Sequence, residues 1–353
     1  MHKHRGYPTE DQARELARTF GCVRYVYNGA LALRTAVWFE RHERIDYAET
    51  DGLMVGMKQQ PERGWLADVS CVLLRQGLRH LGAVRLRRHG RGQGGDRLRI
   101  EVAEDAERLG AAAAAEAARL LNEAVRERGG ARLLLSTGKS QFTTLSALIE
   151  ASVPWTQIEA FHLDEYIGLP ADHPASFRRY LRQRFVSRVP LRAMHYVDTD
   201  GDLEAALTYV SAEVRRSPID VALIGIGENA HVAFNDPPAD FATQAAYSVV
   251  TLAPECRAQQ VGEGWFKTVA EVPERAVTMS VTQIMASRVI LSAVPYGVKA
   301  VAVRRALTED VHPDVPASIL RRHPAWCLFL DRDSSADVPR EVLARYAPGA
   351  RDA

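Results

Sequence analysis

The chain has 353 residues, of which 46% are hydrophobic and 25% are charged, with a formal net charge of +1. This length allows two domains, and the near-neutral charge predicts no overall attraction to nucleic acid or membrane. No apolar run approaches the ~20 residues of a membrane span, and the N-terminus lacks the apolar core of a signal peptide. Its four cysteines include no Cys-x-x-Cys pair, so we expect reduced thiols in the cytoplasm rather than a zinc site or disulfides.

Residues 1–82 carry helical patterns only. Thr9 and Gln12 form a capping box ahead of apolar residues at helical spacing, and further helices are predicted at about 22–41 and 70–81. Residues 83–97 are rich in glycine and arginine and are predicted to be a linker. Its arginines could touch phosphates, but a solvated basic linker is the better interpretation because no aromatic residues are interleaved.

Residues 98–345 are predicted to form one α/β domain, because strand and helix patterns alternate along them. Strands are predicted at 98–102, 131–135, 158–162, 194–197, 219–226, 277–280, 289–294 and 326–330, and helices at 104–128, 141–151, 176–185, 203–216 and 297–307. Alternation of this kind indicates a Rossmann-like fold, with a mainly parallel sheet and helices on both of its faces.

Three apolar runs in this domain each end in a polar turn that contains glycine. They lie in residues 133–144, 158–174 and 220–238. In open α/β sheets, ligands bind in the crevice outside the carboxyl ends of the strands. The three turns are therefore predicted to converge on one ligand.

The turn of the first stretch, Ser136-Thr137-Gly138, joins a predicted strand to a predicted helix. A turn at the start of a helix presents its backbone amides to an anion. Gly138-Lys139-Ser140 resembles the end of a nucleotide-binding loop, but Leu133 occupies the position of the first glycine that such a loop needs. A sugar phosphate or another small phosphate is the better prediction. An ordinary strand–helix turn fits this stretch equally well.

The other two stretches carry candidate acid–base groups. Asp164 and Glu165 follow an apolar run, and a carboxylate with a raised pKa can act as a general base, although two helix-entry residues would look the same. His231 follows Gly225 and Gly227 and lies close in sequence to Asp236, whose carboxylate can orient the imidazole. A loop histidine is more often merely solvated, but its position after an apolar strand and two glycines favours a function.

Together the three stretches resemble the glucosamine-6-phosphate deaminase/isomerase family, over about residues 98–340. The matching motifs are Ser136-Thr137-Gly138, Leu163 to Pro174, and Gly225 to Pro237. The sister group, the 6-phosphogluconolactonases, usually has Asp-Glu-Arg where this chain has Asp164-Glu165-Tyr166. That group also usually has Thr-Ala-Ser after the histidine. This chain has Val232-Ala233-Phe234-Asn235 there, so the deaminase branch fits better and a lactonase-like hydrolase is the alternative.

The resemblance implies a mechanism without metal or cofactor. His231, held by Asp236, would open the sugar ring, and Asp164 would move a proton from C2 to C1 through an enediol-like intermediate, after which ammonia leaves C2. The substrate site would comprise the following residues: Ser136, Thr137, Gly138, Lys139, Ser140, Glu165, Gly227 and Lys299.

This chain departs from the family pattern at two points near these residues. Asn229 stands where the family has an aspartate and could still hydrogen-bond within the catalytic group. A phosphate-binding arginine of the family has no evident match near Gly262, and we do not transfer that role to Arg257.

Residues 5–82 resemble the N-terminal helix-turn-helix segment of OrfB-type insertion-sequence transposases, through Tyr7-Pro8-Thr9, Phe20-Gly21-Cys22 and Tyr27-Asn28. No stretch resembles the nuclease domain of that family. The resemblance implies a transposase fragment fused to a sugar-phosphate enzyme, with possible residual DNA contact. The alternatives are a non-catalytic DNA-binding regulator that senses a sugar phosphate, and a segment without function. No membrane partner is expected, and the oligomeric state is not predicted.

Overall fold

The computed structural model describes residues 98–347 and eight isolated positions before them: 9, 11, 19, 22, 26, 55, 65 and 66. The chain divides into two units, Met1–Gly94 and Gly95–Ala353. In the first unit, the side chains of Cys22, Val26 and Leu66 are buried. The helices and the linker predicted for residues 1–97 otherwise lie outside the described residues.

The second unit alternates strands and helices along the chain. Its strands are β1 Arg99–Ala103, β2 Ala131–Leu135, β3 Ile158–His162, β4 Asp164–Tyr166, β5 Ala193–His195, β6 Val221–Leu223, β7 Tyr247–Thr251, β8 Arg275–Met279, β9 Val289–Val294 and β10 Trp326–Asp331. Its helices are α1 Ala106–Arg128, α2 Phe142–Glu150, α3 Phe177–Arg184, α4 Leu203–Arg215, α5 Pro254–Gly262, α6 Val281–Met285, α7 Ala300–Thr308 and α8 Arg340–Tyr346.

Seven strands form the main sheet, in the order β1-β10-β9-β6-β2-β3-β5. Every neighbouring pair is parallel. The predicted α/β class with a mainly parallel sheet is therefore confirmed. Strands β6, β2 and β3 are neighbours, so the turns that follow them meet at one edge of the sheet.

Both faces of the main sheet are covered, because successive residues of its strands point to opposite sides. In β2, Leu133 and Leu135 pack with α1 and α2, whereas Leu134 packs on the other face with α4 and α7. Such burial on two faces explains why these strands read as continuous apolar runs rather than as alternating patterns.

Helix α1 shows how sequence signals set an element's ends. The Asp105 side chain accepts a hydrogen bond from the Arg108 backbone N–H at 2.8 Å, which caps the first turn. Alanine dominates the interior and favours helix, and Gly129 ends it with its N–H donating to the Val125 carbonyl. Among the described residues, none of the helices has the length and apolar character to cross a membrane.

A second, three-stranded antiparallel sheet with the order β4-β8-β7 was not predicted. The sequence placed a strand at 277–280 in the main sheet, but the structure pairs β8 with β4 and β7 instead. Strand β4 escapes detection because its three residues are Asp-Glu-Tyr, which lack an apolar pattern. The predicted strand 219–226 is also shorter, because only Val221–Leu223 are in ladder pairing.

Candidate active site

A cleft of about 540 Å³, counted with its open mouth, lies at the carboxyl ends of β2, β3 and β6. All three stretches predicted to converge contribute to it, together with residues of α5 and the segment before α7. Its lining comprises Ser136, Thr137, Gly138, Ser140, Leu163, Asp164, Phe177, Gly225, Ile226, Gly227, His231, Ala233, Phe234, Gln259, Gln260, Glu263 and Lys299.

The turn after β2 is shaped to present its backbone to the cleft. Gly138 has φ 95°, a conformation that glycine adopts without strain, and a 3₁₀ turn then leads into α2. The Tyr180 hydroxyl donates to the Gly138 carbonyl at 2.9 Å, and the buried Gln141 amide donates to the Ser140 hydroxyl and to the Ala293 carbonyl. The turn is thus tied to α3 through Tyr180 and to β9 through Gln141, and it stands before a helix start, as in known anion sites.

Asp164 is the first residue of β4 and lies against the cleft almost completely buried. Its Oδ1 atom has no hydrogen-bond partner. Burial raises the pKa of this carboxyl well above its usual range, and the neighbouring charge of Glu165 raises it further. A carboxyl held this way retains its affinity for a proton, which suits a group that takes a proton from carbon and returns it.

Glu165, predicted to bind substrate, points away from the cleft and does not line it. Its carboxylate accepts hydrogen bonds from the Ser176 hydroxyl and from the backbone N–H groups of Phe177 and Arg178, at 2.8–3.1 Å. The buried Arg178 guanidinium also donates to it at 3.2 Å. Glu165 therefore anchors the first turn of α3, and the predicted direct substrate contact does not fit this placement.

His231 and Asp236 come together in the loop after β6. His231 Nδ1 lies 3.1 Å from Asp236 Oδ1, close enough for an ion pair, although the angle falls short of a hydrogen bond. Burial raises the pKa of Asp236, but contacts with His231, the Ala253 N–H and Asn229 outweigh it and leave this pKa below its usual value. The carboxylate is therefore ionised beside the imidazole.

Asn229 organises the same loop. Its Nδ2 donates to Asp236 Oδ1 at 3.0 Å, and its Oδ1 accepts from the His231 backbone N–H at 3.1 Å. One amide thus connects the backbone of the histidine to the carboxylate beside its ring. Asn229 does not line the cleft, so its contacts are positional.

The loop depends on a glycine under the imidazole. A Cβ at Gly227 would lie 2.2 Å from His231 Nε2, closer than any real contact. Ala230 and Ala233, on either side of the histidine, have φ values of 68° and 54°, which non-glycine residues rarely adopt. The His231 ring is therefore placed by a tight, strained turn.

Lys299 enters the cleft from the 3₁₀ turn before α7 and is 4% exposed. Burial lowers the pKa of its ammonium group, while the charges of Glu263 and Glu228 oppose that change. Lys139, by contrast, is exposed on the rim and does not line the cleft, with its ammonium 3.7 Å from where a Cβ of Gly264 would stand.

The sequence did not assign the residues that α5 contributes. Gln259, Gln260 and Glu263 line the cleft, and the Tyr166 hydroxyl donates to Gln260 Oε1 at 2.7 Å. Pro254 in the first turn is a local sign of a helix start, but one of the two buried residues is the polar Gln260, so the sequence shows little apolar spacing here. Arg257 donates to the Val269 and Val272 carbonyls, which agrees with leaving it without a phosphate role.

Potential ligand atoms of His231, Asp236 and Cys256 lie within 4.8 Å of one another. Burial raises the pKa of the Cys256 thiol, and the nearby Asp236 and Asp164 charges raise it further, which favours the protonated thiol. The expected absence of metal and cofactor remains a prediction.

Comparisons with known proteins agree on one family. The model for glucosamine-6-phosphate isomerases/6-phosphogluconolactonase matches residues 104–328. A glucosamine-6-phosphate deaminase of Geobacillus sp. (strain WCH70) is 34% identical over 244 residues, which cover 66% of this chain and 94% of that protein. The chain belongs to the glucosamine-6-phosphate isomerase/6-phosphogluconolactonase family.

Solved structures of this family share the fold. A monomeric glucosamine-6-phosphate deaminase, 29% identical, superposes with a TM-score of 0.62 and covers 68% of this chain and 99% of its own. A 6-phosphogluconolactonase of Thermotoga maritima, 20% identical, has a TM-score of 0.56 over 66% of this chain and 99% of its own, a likeness of fold alone. The resemblance found in the sequence for residues 98–340 is confirmed.

The N-terminal segment has a separate match. A helix-turn-helix domain model of the OrfB insertion-sequence type matches residues 1–43. This supports the predicted fusion of a transposase-like segment to a member of the glucosamine-6-phosphate isomerase/6-phosphogluconolactonase family.

Proposed function

We propose that this protein converts glucosamine 6-phosphate and water into fructose 6-phosphate and ammonia. Its similarity to glucosamine-6-phosphate deaminases supports the substrate. The observation that carries the proposal is Asp164, a buried carboxyl with an unpaired oxygen and a raised pKa in the cleft that also holds His231. An acid–base pair of this kind fits proton transfer next to a carbonyl.

In the first step, the pyranose ring opens. The C1 hydroxyl loses its proton and the ring oxygen gains one, so that C1 becomes an aldehyde and the ring C–O bond breaks. His231 is suited to carry this proton, because Asp236 holds its Nδ1 side and leaves Nε2 for exchange.

Asp164 then acts at carbon. It takes the proton from C2, which the adjacent aldehyde makes acidic, while the C1 oxygen takes a proton from the ammonium group on C2, and the product is an enol with the nitrogen still on C2. The same carboxyl returns a proton to C1, and the C2 iminium that forms adds water and releases ammonia. Low exposure of Asp164 keeps this proton from exchanging freely with solvent.

The phosphate is assigned to the turn at Gly138–Ser140 and to Lys299. The turn offers backbone N–H groups at a helix start, the Ser136 hydroxyl is buried without a partner, and Lys299 supplies positive charge in the same cleft. Binding there would orient the sugar with its reacting end toward Asp164 and His231.

The test is ammonium release from glucosamine 6-phosphate by the purified full chain. We expect Asp164→Asn to lower kcat by about 10²–10⁴-fold and to keep binding the sugar phosphate, because asparagine preserves shape but cannot take a proton. Asp172→Asn, the same change at an exposed position that does not line the cleft, is the matched control. Wild-type activity in Asp164→Asn would contradict the assignment.

A similar assay distinguishes the proposed deaminase from the alternative, a 6-phosphogluconolactonase-like hydrolase. A panel of hexose and hexosamine 6-phosphates together with 6-phosphogluconolactone should give ammonium only with the amino sugar. Hydrolysis of the lactone at a higher kcat/KM than deamination would favour the hydrolase instead.

For the N-terminal segment we propose residual DNA contact, on the strength of the helix-turn-helix match over residues 1–43. Binding of the full chain to duplex DNA should weaken as salt rises, because phosphate contacts release counterions. If binding is absent at low salt, the segment has no such role. A cytoplasmic location remains a prediction.

A further inference from the structure

A carboxylate lies on the anion-binding turn itself. Glu263, just after α5, lines the cleft, and its Oε2 lies 4.0 Å from where a Cβ of Gly138 would stand. The charge of Glu263 also acts on Lys299, whose ammonium lines the same cleft. A side chain of the wrong sign for a phosphate thus occupies the region assigned to the phosphate.

Two neutral donors hold this carboxylate in place. The Gln259 side-chain amide donates to Glu263 Oε1 at 2.7 Å, and the Trp265 indole N–H donates to Oε2 at 3.0 Å. Gln259 is fixed in turn, because its Oε1 accepts from the Glu228 backbone N–H at 3.0 Å. Within residues 98–347, no ion pair neutralises Glu263. The carboxylate is therefore held toward the turn by neutral groups.

We propose that Glu263 is a specificity-determining residue that weakens phosphate binding by competing with the bound phosphate for the positive charge of Lys299. The proposal rests on the function proposed above. A phosphate ester carries about −1.5 to −2 charges near neutral pH, so a carboxylate beside it costs binding energy. The consequence is a lower affinity for the sugar phosphate and for its equally charged product, and a relative gain for ligands with less negative charge.

A purely structural role for Glu263 makes the opposite prediction. If its only task were to hold Gln259 and Trp265, removing the carboxylate would loosen α5 and weaken the binding of every ligand in the cleft. If it opposes the phosphate, removing its charge strengthens the binding of phosphate. The sign of the change in affinity therefore decides between the two roles.

The experiment measures binding of inorganic phosphate to the full chain by calorimetry, for wild type, Glu263→Gln and a control. We expect Glu263→Gln to bind phosphate about tenfold more tightly, because one repelling charge is removed from the cradle. Glu255→Gln removes the same charge from an exposed position in the first turn of α5 and should bind phosphate like wild type. Unchanged or weaker binding in Glu263→Gln overturns the proposal.

In Glu263→Gln the new side-chain N–H₂ group faces either the Gln259 amide or the Trp265 indole N–H, both donors, so a second variant is needed. Glu263→Ala removes the charge without this conflict and is expected to bind phosphate more tightly as well. Phosphate binding is read without turnover, which separates this proposal from the proposed function. If wild type releases no ammonium but Glu263→Gln still gains affinity, only the function fails; if affinity does not rise in an active enzyme, only this inference fails.

Discussion

The cleft has two halves that handle charge differently. The acid–imidazole half consists of Asp164, His231 and Asp236, and its carboxylates lie close to strand ends, without a lysine or arginine ion pair in the described part of the chain. The anion half consists of the Gly138–Ser140 turn, Lys299 and Glu263, in which positive and negative charges face one ligand. The first half tunes the affinity of groups for protons, whereas the second tunes the affinity of the site for an anion.

This contrast makes a kinetic prediction. Interactions that form only in the transition state affect kcat, whereas contacts with a distant, unreacting group of the substrate affect mainly KM. Changes in the acid–imidazole half should therefore lower kcat, and changes in the anion half should move KM.

The largest effect after loss of Asp164 is expected for Gly227→Ala. The added Cβ would lie 2.2 Å from His231 Nε2, so the ring must move, and a displacement of this size costs about 10²-fold in kcat. Overpacking should also lower the free energy of unfolding by about 1–3 kcal/mol. Ammonium release and denaturant unfolding measure the two effects.

Gly262→Ala serves as the control for that substitution. A Cβ at Gly262 meets nothing within 4 Å, and the residue lies at the end of α5, where alanine is accepted. Equal activity in the two alanine variants would show that the position of the His231 ring does not limit the reaction.

A smaller effect, on KM, is expected for Lys299→Met. Methionine keeps the length and apolar stem of the side chain but removes the charge, so KM for glucosamine 6-phosphate should rise about 10–100-fold while kcat changes less than about threefold. Lys267→Met makes the same change at an exposed position. A fall in kcat without a rise in KM would assign Lys299 to the chemistry and would remove the contrast between the two halves.

The sequence predicted the two halves unequally well. Asp164, His231 and the turn at Gly138 each follow an apolar run, so they could be found from local patterns and from the rule that ligands bind at strand ends. Glu263 and Gln259 reach the cleft from a helix whose residues show little apolar periodicity, and only the fold brings them to the turn. The sequence could not separate Asp164 from Glu165, because adjacent residues of a strand point in opposite directions and only Asp164 of this pair lines the cleft.

The smallest expected effect tests the electrostatics of Asp164 through stability. Burial, assisted by Glu165, raises the pKa of Asp164 in the folded protein, so the folded state holds this proton more tightly than the unfolded state. Its contribution to stability is therefore full below the unfolded pKa and is lost as pH rises through the folded pKa. Asparagine does not ionise and escapes this loss.

Asp164→Asn should consequently be more stable than wild type at pH 8, by about 1–3 kcal/mol, the usual cost of an unsatisfied buried polar group, and should match wild type near pH 4. Denaturant unfolding at both pH values measures the difference, with exposed Asp310→Asn as the control for a change of charge alone. If the variant loses activity but gains stability only at high pH, the Asp164 carboxyl lowers the free energy of unfolding at high pH and is nevertheless required for the reaction. Equal stability at pH 8 would place the Asp164 carboxyl in contact with solvent and would remove the basis for treating it as a shielded base.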